Sequence, residues 1–413
     1  MRPRLTRLFL PAAILALAAS ACAAPDAPVG PTTEARSWSQ ISDGAQGQTV
    51  DLWMYGGDKQ GNAYVDRVLT PAAAKLGVTV RRVPVADTKD AMTRILAERQ
   101  ASKQDGAVDL VWVNGDNFAT GKQVDAWRCG WSSQLPNAKF LGPDDALVTR
   151  DFGTDVGGCE APWHKAQFTL VYDSARVASP PKSMAGVLQW AQAHPGRFTY
   201  PAPPDFTGSV FLREVLYSTS GGYAKIPSQF DQRAYDRLTP GLWNVLEGVA
   251  PSLWRQGRTY PRDSVALDRL YADGEVDLTM TYGPATLTKL VADGTFPATT
   301  RVLPLDEGTI GNASFLAIPS SAGDPEGAMV VANLALSPEQ QALKADPDTW
   351  GQFTVLDTDL LSPTDRARFD DLPTSDVVPP YSVLARNANP ELASSWVPRL
   401  DKGWRRAVLG SGS

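Results

Sequence analysis

Between Tyr200 and Val210 the chain reads Tyr-Pro-Ala-Pro-Pro-Asp-Phe-Thr-Gly-Ser-Val, residue types suited to holding a small polar molecule. Pro201, Pro203 and Pro204 remove backbone donors and keep the connection extended after a β-like run, Arg197–Tyr200. Asp205, Thr207 and Ser209 then place side-chain oxygens at the entrance of a helix-like run, Val210–Tyr217, and Gly208 lets another group approach the backbone. Unpaired N–H groups at a helix start suit an anion or a hydroxyl-bearing ligand. The same features also describe an ordinary capped helix, so what discriminates is whether this chemistry recurs at other strand ends.

It recurs three times. Trp53, Tyr55 and Gly57 close a first strand, Asn114, Asp116, Asn117 and Phe118 follow a third, and Tyr282 and Gly283 end another. Ligands of open α/β sheets sit beyond the carboxyl ends of the strands, so these groups can share one crevice with Asp205, Phe206, Thr207 and Ser209. Trp53 and Trp112, inside apolar strands, read as core; Asn114, Asn117 and Thr207 are less easily assigned to packing.

Catalytic motifs are missing or defective. Gly115 through Gly121-Lys122-Gln123 imitates a phosphate loop, but the spacing is one residue too long and Gln123 replaces Ser or Thr. No Gly-x-Ser-x-Gly elbow occurs. His164 and His194, the two histidines, read as structural or solvent-facing, and the carboxylates Asp116 and Asp205 lack local support for glycosidase chemistry. No cofactor and no metal set is expected.

The elements positioning these residues alternate. Val50–Tyr55, Val78–Val85 and Val108–Val113 read as strands separated by helical runs, which implies parallel pairing with crossovers. The alternation resumes from Pro180 to Leu305, and proline-interrupted short helices fill the last seventy or so residues. Ala23–Gly47 is rich in Ala, Pro, Thr and Ser without apolar period and reads as a tether.

At 413 residues, 43% hydrophobic and 20% charged, the chain is long enough for two lobes. Its net charge of −6 argues against nucleic acid and against a basic membrane-binding surface. Arg2, Arg4 and Arg7 precede the short apolar run Leu8–Ala18, and Ala19-Ser20-Ala21-Cys22 follows. This is a signal segment, 1–22, resembling a bacterial lipobox that would lipidate Cys22; plain secretory cleavage near Ala21–Ala24 is the alternative. An extracytoplasmic, oxidising location then favours a disulfide between Cys129 and Cys159 over two buried thiols. Closing that loop of about thirty residues is worth roughly 3–4 kcal/mol in the chain-entropy model.

The runs Val108–Phe118, Arg197–Ser209, Gly308–Asn312 and Ala328-Met329-Val330-Val331-Ala332-Asn333 resemble those of the YnjB-type extracytoplasmic solute-binding proteins of bacterial ABC importers. The similarity runs from about Val50 to the terminal Trp-Arg-Arg; Asp116 stands where the family more often has glutamate, which shortens that carboxylate's reach. The resemblance implies an α/β, two-lobe, type II periplasmic-binding-protein fold, with a mixed, mostly parallel sheet in each lobe and the ligand cleft between. On that basis 23–47 is tether, 48–167 plus 309–345 form lobe 1, and 168–308 plus 346–413 form lobe 2 with the C-terminal helices. Hinges are expected at Gln167–Tyr172 and Gly308–Ser314, with Thr309 and Asn312 facing the ligand.

The resulting expectation is a monomeric receptor, tethered to the membrane by lipid alone, that closes on a small molecule and presents it to a permease. Asp116 and Asp205 beside Tyr55, Phe206 and Tyr282 favour an organic cation, while Thr207, Ser209 and Thr309 favour a phosphate or hydroxyl-rich group. A thiamine-like cation, with or without phosphate, would use both sets. The rivals are a secreted enzyme on the same fold, acting on a small polar substrate, and a cell-surface adhesion protein.

Overall fold

The computed structural model describes residues 36–410. The expected signal segment, Cys22 and residues 23–35 of the expected tether lie outside the described residues. The rest of that tether expectation is overturned: Trp38–Gly44 is a helix, and Ile41 and Ala45 are buried. Trp38, Ile41 and Ala45 recur at three- and four-residue steps, an apolar stripe that Ser- and Gly-rich neighbours disguise. The stripe packs on the helix Pro325–Ala335.

The strands, in chain order, are β1 (Thr49–Tyr55), β2 (Thr79–Val85), β3 (Leu110–Val113), β4 (Arg150–Asp151), β5 (Thr154–Asp155), β6 (Glu160–Gln167), β7 (Thr169–Asp173), β8 (Leu278–Thr281), β9 (Thr300–Leu303), β10 (Ile310–Ala317) and β11 (Asn389–Pro390). In the first sheet β1 pairs in parallel with β2 and β3, as the intervening helices require. β10 returns antiparallel to β3 and β6, and β11 adds a parallel pair at Ile310 and Gly311. Val50, Leu52, Met54, Leu110 and Leu316 bury one face of this sheet against Tyr64, Trp163 and Trp350.

The second sheet holds β7 between β8 and β9, antiparallel to both. β7 enters straight from β6 through Phe168, so it runs against strands that its own lobe's helices deliver. The expected strand Arg197–Tyr200 is extended but joins no ladder; its Arg197 and Phe198 carbonyls accept from the Asp277 and Trp254 N–H groups, at 2.9 and 2.8 Å. Phe168, Leu170, Phe198, Phe211, Leu278, Trp396 and Trp404 form the second core.

Most of the segment 346–361, expected with lobe 2, packs in the first core instead: Trp350, Val355, Leu356 and Leu361 are buried there, while Phe353 packs against the second core, whose buried members from the tail begin at Val377. Large aromatic area decides this placement, because Trp350 is fully buried among Tyr64, Trp112 and Trp163. Cys129 and Cys159 are joined as expected, with the Trp131 indole donating to the Cys159 carbonyl at 3.3 Å.

Candidate functional site

The ends of β1 and β3 face the first turn of the helix Phe206–Ser220, and the residues there come from both lobes. At the end of β1 the Tyr55 ring folds back over Gly57: a methyl group on Gly57 would lie 2.1 Å from the Tyr55 hydroxyl, so only glycine fits beneath it. Tyr55 stays 38% exposed, on the cleft side.

At the end of β3 Gly115 turns with φ +61° and donates its N–H to both carboxylate oxygens of Asp151, at 2.8 and 2.7 Å. The next residue, Phe152 at the tip of the β4–β5 hairpin, lays its ring against Gly115. That ring is 6.3 Å from Phe206 on the other lobe, and Phe206 meets Tyr282 edge-on at 5.2 Å. An aromatic line therefore crosses the cleft, with the Arg213 guanidinium 5.8 Å from the Phe152 ring.

The expected residues divide by what their side chains already do. Asp205 is the N-cap of its helix, accepting from the Gly208 N–H at 2.9 Å, and its other oxygen accepts from Ser264 at 3.3 Å. Burial raises its pKa against the pull of those donors. Ser209 turns inward and donates to Asp401 at 2.6 Å, Thr207 is buried in the first helical turn, and the Tyr282 hydroxyl donates to Glu391 at 3.2 Å. Thr309 stands next to β10, and Gln167 Nε2 donates to both its carbonyl and its hydroxyl, at 2.7 and 2.8 Å. These bonds tie two chain crossings together.

Asn114 and Asn117 are half-buried and Asp116 is exposed at the start of the helix Asp116–Gln123. Asn312, expected in the hinge Gly308–Ser314, is within β10 and is buried, yet neither atom of its amide has a protein partner among the described residues. A buried amide without protein partners is costly, and an ordered water or another bound group meets such a need.

Several members of the site carry little signal in the sequence. Phe152 stands between Asp151 and Gly153 at a hairpin tip, a short signal without periodicity. Arg213 interrupts an apolar helical run, which was a usable signal; its partner Glu391 lies far along a proline-rich tail, which was not. Arg213 holds Glu391 through Nε and Nη2 at 2.8 and 3.0 Å. Asp151 and Glu160 are both buried and both pushed well above the usual carboxylate range, first by burial and then by neighbouring carboxylates.

The histidines sit away from any reacting geometry. His164 is buried against Trp112, Trp163 and Trp350, and burial with nearby Lys344 lowers its pKa well below the usual value. His194 stacks on Trp190 with centroids 4.3 Å apart. Among the described residues no group of three or more His, Cys, Asp or Glu side chains is arranged to hold a metal, and no helix is long and apolar enough to cross a membrane.

Residues 68–363 match the family described as bacterial extracellular solute-binding protein. The chain is 37% identical over 374 residues to protein YnjB of Escherichia coli K12, covering 90% of this chain and 94% of that protein. Among solved structures it is similar to the spermidine/putrescine ABC transporter substrate-binding protein PotD from Streptococcus pneumoniae, with a TM-score of 0.60, 13% identity, and 87% and 98% of the two chains covered. It is also similar to the periplasmic binding protein AfuA from Actinobacillus pleuropneumoniae, solved with fructose-6-phosphate, with a TM-score of 0.58, 13% identity, and 87% and 98% covered. At those identities the two structures carry the fold, a type II periplasmic-binding-protein fold. The chain belongs to the extracellular solute-binding proteins of bacterial ABC transporters, in the YnjB type; these proteins act as transporter receptors and work outside the cytoplasm.

Proposed function

We propose that this solute-binding protein is a monomeric receptor that closes two lobes on a small organic cation, thiamine-like or amine-bearing, and presents it to an ABC permease. Binding energy across the cleft shifts an open–closed equilibrium, and the permease reads the closed shape. The crossings at Gln167–Thr169 and Thr309–Ile310 flex, with Gln167 bonded to Thr309 as their common pivot. Lipid on Cys22 holds the receptor at the membrane, and Cys22→Ser should release it from the detergent-partitioning fraction.

The observation that carries this reading is the aromatic line Phe152–Phe206–Tyr282 across the cleft, with the exposed Tyr55 at the end of β1. Aromatic faces attract a desolvated cation by about 0.5–2 kcal/mol each. Asn114, Asp116, Asn117 and Asn312 supply hydrogen-bonding groups from lobe 1, and Asp205, Phe206, Thr207 and Tyr282 wall the other side. Ser209 and Thr309 support the wall and the pivot instead of touching the ligand, their hydroxyls being committed to Asp401 and Gln167. The test is titration calorimetry of the purified chain against thiamine and simple amines. One-to-one binding without turnover supports the receptor; turnover of the compound sinks it in favour of an enzyme.

A further inference from the structure

The two faces of β10 differ in kind. Ala313 and Phe315 pack with Val156, and Ala317 packs with Val111 and Val113. The alternate row starts at Leu316 in the first core and turns polar toward the hinge, through Ser314 to Asn312. In the antiparallel register with β6, His164 stands opposite Ser314 and Ala166 opposite Asn312. The extra residue of the irregularity, Trp163, falls on β6, so the alternation of β10 is intact and His164, Ser314 and Asn312 share one face. The His164 ring meets Trp112 at 5.3 Å and Trp350 at 4.9 Å, both near edge-on.

The polar groups of this face are uncommitted. Asn312 and His164 are 4% and 3% exposed, and both amide atoms of the first and Nδ1 of the second lack a hydrogen-bond partner among the described residues. Gln352 joins them from the side. Its N–H donates to the Lys344 carbonyl at 3.0 Å, and the Lys165 N–H donates to the Phe353 carbonyl at 2.9 Å, which fixes this segment along β6. The buried Ser314 hydroxyl and Gln352 amide also bond to no other described residue. Lobe 2 covers the edge of the group: a methyl on Gly283, just past β8, would lie 3.2 Å from Gln352 Nε2.

An ordered water makes about three hydrogen bonds and can serve part of this set. The Asn312 amide alone has two N–H donors and an oxygen with two lone pairs, and Ser314, Gln352 and His164 add more. These side chains are neutral, since burial with Lys344 nearby holds the His164 pKa well below its usual value. They both donate and accept, so a group that only accepts or only carries charge matches them poorly.

We infer that this face takes the uncharged part of the solute, a heterocycle edge or a set of hydroxyls that offers donors and acceptors together. The positive charge rests on the aromatic line. The solute reaches the face from the cleft when Gly283 and Gln352 part. The inference deepens the receptor reading above and rests on it.

Charge-matched pairs test it by calorimetry on the full chain: thiamine beside its analogue with a phenyl ring in place of the aminopyrimidine, and glucosamine beside cyclohexylamine. The polar member of at least one pair should bind, and its apolar counterpart about tenfold or more weakly, because it strands the buried polar groups. The responding pair tells a heterocycle edge from hydroxyls. Asn312→Leu removes the amide at similar volume and should bring the two members to within about threefold, with the unliganded melting temperature unchanged or higher. Gln352→Met should narrow the ratio in the same direction. If Asn312→Leu does not fold, Gln352→Met and the wild-type pairs decide. An apolar member binding as tightly as its partner overturns the inference and leaves the receptor reading standing. A wild-type ratio in both variants does the same, and assigns the amide to structural water only. Silence across every probe overturns both.

Discussion

Arg213 and Glu391 face each other inside the second lobe with side chains 1% and 2% exposed, joined by two nearly parallel hydrogen bonds. The pair also orders the site, since Glu391 accepts from the Tyr282 hydroxyl and Arg213 lies under the Phe152 ring. Desolvating two charges offsets much of their attraction, whereas stranding one of them is severe. Arg213→Met alone should lower unfolding free energy by about 3–5 kcal/mol in denaturant melts, and Arg213→Met with Glu391→Leu should recover most of it. Equal losses in single and double variants would show that the pair is not the source.

Asp205 links two helix starts, through Gly208 of its own helix and Ser264 of the next. Asp205→Ala should cost about 1–2 kcal/mol of stability, while Asp205→Asn, which retains a capping oxygen, should cost a few tenths. Melts that place both variants at wild-type stability would remove the capping role.

Glu214 accepts from the Ile310 N–H at 2.6 Å, at the start of β10, and burial pushes its pKa up to about 8. A carboxyl raised in the folded state favours the protonated form there. Its contribution to stability is therefore complete below about pH 4.5 and is lost as pH rises toward 8, at up to about 1.4 kcal/mol per pH unit. Buried Asp268, raised to about 7, acts in the same direction. Glu214→Gln should flatten the fall in stability between pH 5 and 8 relative to wild type. Parallel pH profiles for the two proteins would contradict the assignment.

The alternation from Val50 to Val113 was legible because period-two strands and periodic helices announce themselves locally. The start of β10 was not: Gly308 through Asn312 reads as a turn, but pairing with β6 and β11 overrides the glycines. Asp205 was legible as both cap and ligand group, and only the position of Ser264 distinguishes its duties. Glu391 and Phe152 depend on contacts between distant segments, which carry no period. In each case the missing information was tertiary.

Phe152 offers a test of how the site closes. It belongs to a two-residue hairpin strand pair, outside the two large cores, yet it is 5% exposed because Gly115, Phe206 and Arg213 surround its ring. Its burial is therefore achieved across the cleft, between lobes, and truncating it should act on closure more than on either core. An aromatic pair contributes about 0.5–1.5 kcal/mol beyond its area. Phe152→Ala should weaken binding of the cognate cation about two- to tenfold, since a smaller closed fraction reduces apparent affinity in proportion. Small-angle scattering of the unliganded variant should show a larger radius of gyration than wild type. The cross-cleft role fails if affinity and radius are both unchanged while thermal stability alone drops.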